Sequence, residues 1–228
     1  MAYTKDGIIF PRCTAIIGEC NPKNWGPQWG ANCVVQWIKE NISCSSDDMC
    51  DEFYSCTPSD LDKARFEFRN VSQIALDIGS EVHNAVEKHL QGKEYALTSK
   101  QAENGFQAFL EWEKEVDLKP SALEFTVWGD RWAGTLDMVC KLNGKIYVVD
   151  FKTSKRFYLS EMGAQIAAYR SAIKLTVDGC GILRLDKETG IPEWKDFSKR
   201  YLSDLAVFNA MVDLYYLRHP RIRKRFKA

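Results

Sequence analysis

The sequence has no excess of charge of either sign: its 31 Lys and Arg side chains cancel its 31 Asp and Glu. Any grip on a polyanion must therefore come from a local basic patch, because no overall positive field draws such a ligand in. Long apolar runs are also missing, and residues 1–6, Met-Ala-Tyr-Thr-Lys-Asp, turn polar at once. That argues against a signal peptide or a membrane span and makes a cytoplasmic protein the expectation. There is no internal repeat, no low-complexity tract and no Cys-x-x-Cys pair. Cysteine itself becomes scarce after the first quarter: Cys13, Cys20, Cys33, Cys44, Cys50 and Cys56 are followed only by Cys140 and Cys180. A disulfide framework does not suit a chain of 228 residues without an export signal, so reduced thiols are expected. Cys44, Cys50 and Cys56, with Cys33 as a fourth, lack the tight knuckles of most zinc sites and are read as free thiols.

What is present divides into three stretches of one domain. Residues 1–58 are irregular, rich in Cys, Trp, Gly and Asn, and read as loops with short helices around Cys33 to Glu40. Residues 59–217 carry alternating helical and extended patterns. Residues 218–228 form a tail with six Lys or Arg and no acid, the most obvious phosphate-binding run in a neutral chain. In the middle stretch a helical pattern starts at Ser59 or Asp60, runs to Leu90 and stops at Gly92, with Gly79 as a possible break. Thr98-Ser-Lys-Gln101 reads as a capping box opening a helix to about Val116. Strands follow at Leu123–Val127, Ala133–Leu142 and Lys145–Lys152. A helix is expected over Glu161–Leu175, strands at Gly181–Leu185 and Pro192–Phe197, and a last helix from Ser203 to before Pro220. This order predicts an α/β fold: a mixed central sheet flanked by helices, with an irregular or helical N-terminal segment packed on it.

Asn143-Gly144 between two extended runs is a strong hairpin signal. A two-residue turn there pairs residues whose numbers sum to 287, so Asp137 falls opposite Asp150 and Thr135 opposite Lys152. Period-two alternation puts Asp150 and Lys152 on one face. Leu136, Met138, Cys140, Tyr147, Val149 and Phe151 share the other, a core face. Two directly opposed carboxylates repel each other unless something neutralises them. A divalent cation would do so, and oxygen ligands with water suit Mg²⁺ or Mn²⁺. Lys152 beside it could position or deprotonate a water, or offset charge on a phosphate; a plain ion-paired polar patch is the bland alternative.

At these residues the sequence resembles the PD-(D/E)XK nuclease superfamily, in its RecB-like branch with CRISPR-associated and phage exonucleases. The resemblance rests on Gly134-Thr-Leu-Asp137 and on Val148-Val-Asp-Phe-Lys-Thr-Ser154. It also rests on a histidine-bearing segment at 79–87 and a Gln-x-x-x-Tyr segment at 165–169, and spans about residues 75–197. It implies a restriction-endonuclease-like core and metal ligation by His83, Asp137 and Asp150, with the Phe151 carbonyl as an addition. Lys152 would be the catalytic lysine alongside Asp137 and Asp150, and Gln165 and Tyr169 would contact DNA or brace the site. Glu87, one turn beyond His83, could orient its ring or be a solvated charge; Glu124 sits where some relatives keep a further acid. His89 and His219 are read as ordinary structural or exposed histidines. The iron–sulfur cluster of some relatives is not expected, since only Cys180 follows Lys152. The implied activity is metal-dependent cleavage of DNA, exonucleolytic from ends, in recombination, repair or phage DNA processing. A structure-specific endonuclease and a binding module with a nuclease fold are the alternatives. DNA is the expected partner, with a single-strand annealing protein and a homo-oligomer as further possibilities implied by relatives.

Overall fold

The computed structural model describes residues 3–21, 26–42, 44–47, 50–54 and 56–223. Its elements run β1 (Tyr3–Lys5), β2 (Ile8–Phe10), α1 (Cys13–Cys20), α2 (Gly26–Asn41), β3 (Cys44–Asp47), β4 (Cys50–Tyr54), α3 (Pro58–Ala64), α4 (Glu67–Leu90) and α5 (Lys100–Glu115). Then come β5 (Leu118–Trp128), β6 (Ala133–Leu142), β7 (Lys145–Lys152), α6 (Leu159–Ala172), β8 (Gly179–Leu185), β9 (Pro192–Asp196), α7 (Tyr201–Arg218) and α8 (Pro220–Arg223). They form two compact units, one of residues 1–22 and 79–228, the other of residues 23–78.

The larger unit is built on a five-stranded mixed sheet in the order β5-β6-β7-β8-β9. Every neighbouring pair is antiparallel except β7 and β8, which run parallel and need the crossover helix α6 between them. Helices cover both faces, and this is why β8 reads as an unbroken buried run, Gly-Cys-Gly-Ile-Leu-Arg-Leu. On one face Val139, Val148, Cys180 and Ile182 pack with α1, α6 and α7. On the other, Met138, Val149 and Phe151 are buried, and Phe109 of α5 meets Phe151 edge-on at 5.8 Å. The core face expected for the hairpin is thus buried apart from half-buried Tyr147; on the opposite face Val139, Val148 and Asp150 are buried, while Lys141 and Ile146 near the turn are exposed. Among the described residues no helix is long and apolar enough to cross a membrane.

Several expected boundaries move for local reasons. Thr57, not Ser59 or Asp60, caps α3 in a reciprocal box with Asp60, with Pro58 at the first helical position. The break falls at residues 65–66, while Gly79 lies inside continuous α4. Gly79 is there for close approach: a Cβ would stand 3.0 Å from Thr153 Oγ1. Ser99 caps α5, and Thr98 instead turns to the Glu81 carboxylate. The strand expected at Leu123–Val127 extends over 11 residues, paired with β6 from Leu118 to Trp128 across a register shift between Pro120 and Ala122.

In the smaller unit α2 and α3 pack together, β3 and β4 form an antiparallel ladder where loops were expected, and Trp29 meets Phe68 edge-on. Cys33 and Cys56 are free thiols; the Cys44 and Cys50 side chains of the suggested zinc set lie outside the described residues. So does 224–228 of the basic tail.

Candidate metal centre

The site begins with the turn. Asn143 and Gly144 both take positive φ, 48° and 85°, which a two-residue hairpin needs and a β-branched pair would resist. The ladder then runs from Leu142 opposite Lys145 to Met138 opposite Val149, every pair summing to 287 as the turn requires. One step further Asp137 comes level with Asp150, and there the backbone pairing gives way. The Phe151 N–H donates to Asp137 Oδ2 at 2.5 Å, so the carboxylate occupies the place of a ladder acceptor.

A third acid arrives from the edge. On β5, Leu123 pairs with Met138 and Phe125 with Leu136, which brackets Glu124 opposite Asp137. Glu124 has φ +45°, a left-handed conformation that costs an ordinary residue about 1–3 kcal/mol. Three adjacent strands therefore bring Glu124, Asp137 and Asp150 to one cleft. α4 adds His83, whose Nδ1 lies 3.2 Å from Asp137 Oδ1. Ligand atoms of His83, Glu124 and Asp137 all lie within 4.8 Å of one another.

Asp150, expected as a metal ligand, lines the same cleft and is held there by Lys152 and Gln165. Its Oδ2 meets Lys152 Nζ at 2.5 Å as an ion pair, off the angle of a hydrogen bond, so this buried oxygen has no directed donor. Its Oδ1 accepts from Gln165 Nε2 at 3.1 Å, and the same nitrogen lies 3.1 Å from Tyr169 Oη. Gln165 and Tyr169 are largely buried and line the floor of the cleft, Gln165 bracing Asp150 and Tyr169 bracing Gln165. Gly134 leaves room for this: a Cβ there would stand 2.7 Å from the Tyr169 ring. Glu87 accepts from Gln91 Nε2 at 2.8 Å, while the His83 ring is held by Asp137. His89 pairs with Glu113 at 2.8 Å and His219 with Glu19 at 2.9 Å, both away from the cleft.

The electrostatics follow from crowding. Desolvation first, then the charge of Asp137, pushes Glu124 up to about 7 although part of it stays open to solvent. Burial raises Asp150 to about 6; the Lys152 ammonium pulls it down and Asp137 pushes it up. Desolvation works against the His83 cation, but Asp137 outweighs it and the pKa is raised. Asp137 is lowered in spite of burial, by His83, Lys152 and the Phe151 N–H. Without a cation, then, this cluster holds protons that free side chains would have released.

The cleft, about 320 Å³, also has walls the sequence did not announce: Tyr3, Arg12, Cys13 and Thr14. They come from the N-terminal elements, fastened by a parallel bridge from Arg12 to Ala133 and by Tyr3 Oη to Thr135 Oγ1 at 2.8 Å. Burial and the Asp150 charge hold the Cys13 thiol well above its usual pKa, so it is not a ready thiolate ligand. Compared with known proteins, the chain matches no family model, and no curated protein matches it.

Proposed function

We propose that the chain is a Mg²⁺- or Mn²⁺-dependent deoxyribonuclease, working as an exonuclease on DNA ends. The observation that carries this reading is the convergence of Glu124, Asp137 and Asp150 from three adjacent strands on His83 and Lys152. Structural packing gives no reason to gather three carboxylates, one of them on a strained backbone, and the raised proton affinity of Glu124 and Asp150 is the cost of doing so without a cation. The donor set of one imidazole and carboxylate oxygens fits a hard divalent ion. The resemblance of the hairpin to the PD-(D/E)XK superfamily supports the same reading, with the sheet as a restriction-endonuclease-like core.

His83, Glu124 and Asp137 would hold the ion. When bound, the ion would supply charge for the scissile phosphate and acidify a water. Asp150 keeps Lys152 charged and aimed, and Lys152 in turn offsets negative charge that builds on the phosphate. Gln165 and Tyr169 hold Asp150 in place, so the ammonium stands where the strand leaves it. The half-exposed cleft admits a strand from solvent, consistent with a substrate larger than the cavity.

The experiment is degradation of 5′- and 3′-end-labelled linear DNA beside closed circular DNA, in Mg²⁺, Mn²⁺ or EDTA, for the wild type, Asp137→Asn and Lys152→Ala. Metal-dependent loss of label from linear DNA alone, abolished by both substitutions, is expected. Cleavage of circles would make it an endonuclease, and no cleavage in either metal would end the nuclease reading.

A further inference from the structure

The connection from β7 to α6, residues 153–158, leaves the site directly after Lys152 and is held more firmly than a surface loop usually is. Arg184 lies beneath it on β8, in register with Lys152, its side chain only 7% exposed. Its Nη1 donates to the Ser154 carbonyl at 3.1 Å and to the Lys155 carbonyl at 3.4 Å. Its Nη2 pairs with Asp186 at 3.1 Å and with Glu193. Asp186 also accepts from the Glu188 and Thr189 N–H groups, so the guanidinium ties this connection to the β8–β9 turn. Ser154 Oγ donates to the Arg156 carbonyl at 2.9 Å, and Gly79 of α4 presses against Thr153 from the other side. Burying a guanidinium costs several kcal/mol before its partners offset it, a large outlay for holding an idle loop.

What the held turn presents is two exposed cations, Lys155 and Arg156, neither paired with a carboxylate among the described residues. Arg156 rests over the Tyr158 ring at 5.3 Å. Lys187 on the neighbouring turn is close enough to feel them: burial lowers its pKa, Glu188 opposes this, and the Lys155 charge lowers it further. The acids nearby are already engaged, Asp186 and Glu193 by Arg184 and Glu188 by Gln101. A cationic rim lacking a counter-charge suits an anion. Three residues of chain span at most about 10 Å, so Lys155 stands within a short reach of whatever phosphate meets Lys152. A small phosphodiester would leave both cations unused, whereas a polynucleotide would bring further phosphates past them.

We propose that the turn at residues 153–156, held by Arg184, is a backbone-phosphate contact for a DNA strand, with Lys155 and Arg156 each taking a phosphate beside the one at Lys152. This rests on the nuclease reading for the phosphate at Lys152, but its test is binding. Fluorescein-labelled oligonucleotide is titrated with the full chain in Ca²⁺ at several KCl concentrations, and anisotropy gives the salt slope. The variants are Lys155→Ala/Arg156→Ala and, as a control, Lys141→Ala/Lys145→Ala. The control pair is exposed at the other end of the same hairpin, with Lys145 seven residues or about 23 Å along the strand from Lys152. The 155/156 variant is expected to bind about tenfold more weakly at low salt, with a log–log slope shallower by about 1.4–1.8, the value for two lost phosphate contacts. Its melting temperature and Mn²⁺ affinity stay unchanged. Equal slopes for the 155/156 variant and the wild type, in a wild type that binds and cleaves, overturn this contact alone. A wild type that binds no DNA overturns both readings. One that binds with the expected slopes but cleaves in no metal upholds the contact and removes the nuclease.

Discussion

Cation binding at the centre should be strongly coupled to pH. To ligate, Glu124 must be ionised and His83 neutral, yet in the metal-free protein crowding raises Glu124 to about 7 and Asp137 holds a proton on His83 above its usual range. The ion therefore displaces protons, and it must do so most at low pH. For a group titrating near 7, the competition from its proton changes roughly tenfold between pH 6 and pH 8. His83 adds to this in the same direction. Mn²⁺ titrated calorimetrically into the EDTA-stripped protein, in two buffers of different ionisation enthalpy, reads both quantities. Affinity should rise at least tenfold from pH 6 to pH 8, with roughly one to two protons released per ion at pH 6 and few at pH 8. Glu124→Gln should weaken binding at pH 8 and reduce proton release at pH 6 by about one. Equal affinity at the two pH values, or no proton release at pH 6, would refute the assignment of Glu124 and His83 to the ion.

The same shifts govern stability without metal. Because the folded pKa values of Glu124 and Asp150 lie above their ordinary values, the folded protein binds more protons across pH 4–7, and stability is lost as pH rises through about 6 and 7. Melting temperature in EDTA should therefore fall over that range, and saturating Mn²⁺ should restore it at pH 8 but not at pH 5. Lys152→Met leaves the Asp150 carboxylate buried without its counter-charge and should cost about 3 kcal/mol at pH 8, less at pH 5 where Asp150 can protonate, as read by urea unfolding. Gly134→Ala forces a methyl into the Tyr169 ring and should cost about 1–3 kcal/mol, with a loss of cleavage that a distant core substitution of equal cost does not reproduce.

The hairpin was legible because its geometry is local. Asn143-Gly144 fixes the turn, the turn fixes the register, and the register brings Asp137 level with Asp150 without reference to the rest of the chain. Gln165 and Tyr169 were legible only as a pair four residues apart; that they face inward depends on α6 being buried from Met162 to Tyr169 on every side, which leaves no apolar stripe to read. Glu124 was harder still. Its position opposite Asp137 depends on a register shift between Pro120 and Ala122, and its orientation on a left-handed φ that no propensity assigns to glutamate. Arg12 and Tyr3 reach the cleft through contacts to Ala133 and Thr135, and nothing periodic in a sequence records a pairing that distant. The helix caps failed for a smaller reason: Thr57 and Ser99 each stand within two residues of equally good capping side chains, and tertiary contacts chose between them.

The fastening of the N-terminal elements to β6 has a consequence for the order of assembly. Tyr3 and Thr135 are 132 residues apart, so on the ribosome the first wall of the cleft is made on the order of ten seconds before the strand that receives it. Tyr3–Lys5 and Ile8–Phe10 pair with each other, a ladder that does not depend on the later strands. A centre completed by the earliest part of the chain closes only after its latest-made partners are in place, which delays any metal-dependent activity until the sheet has formed.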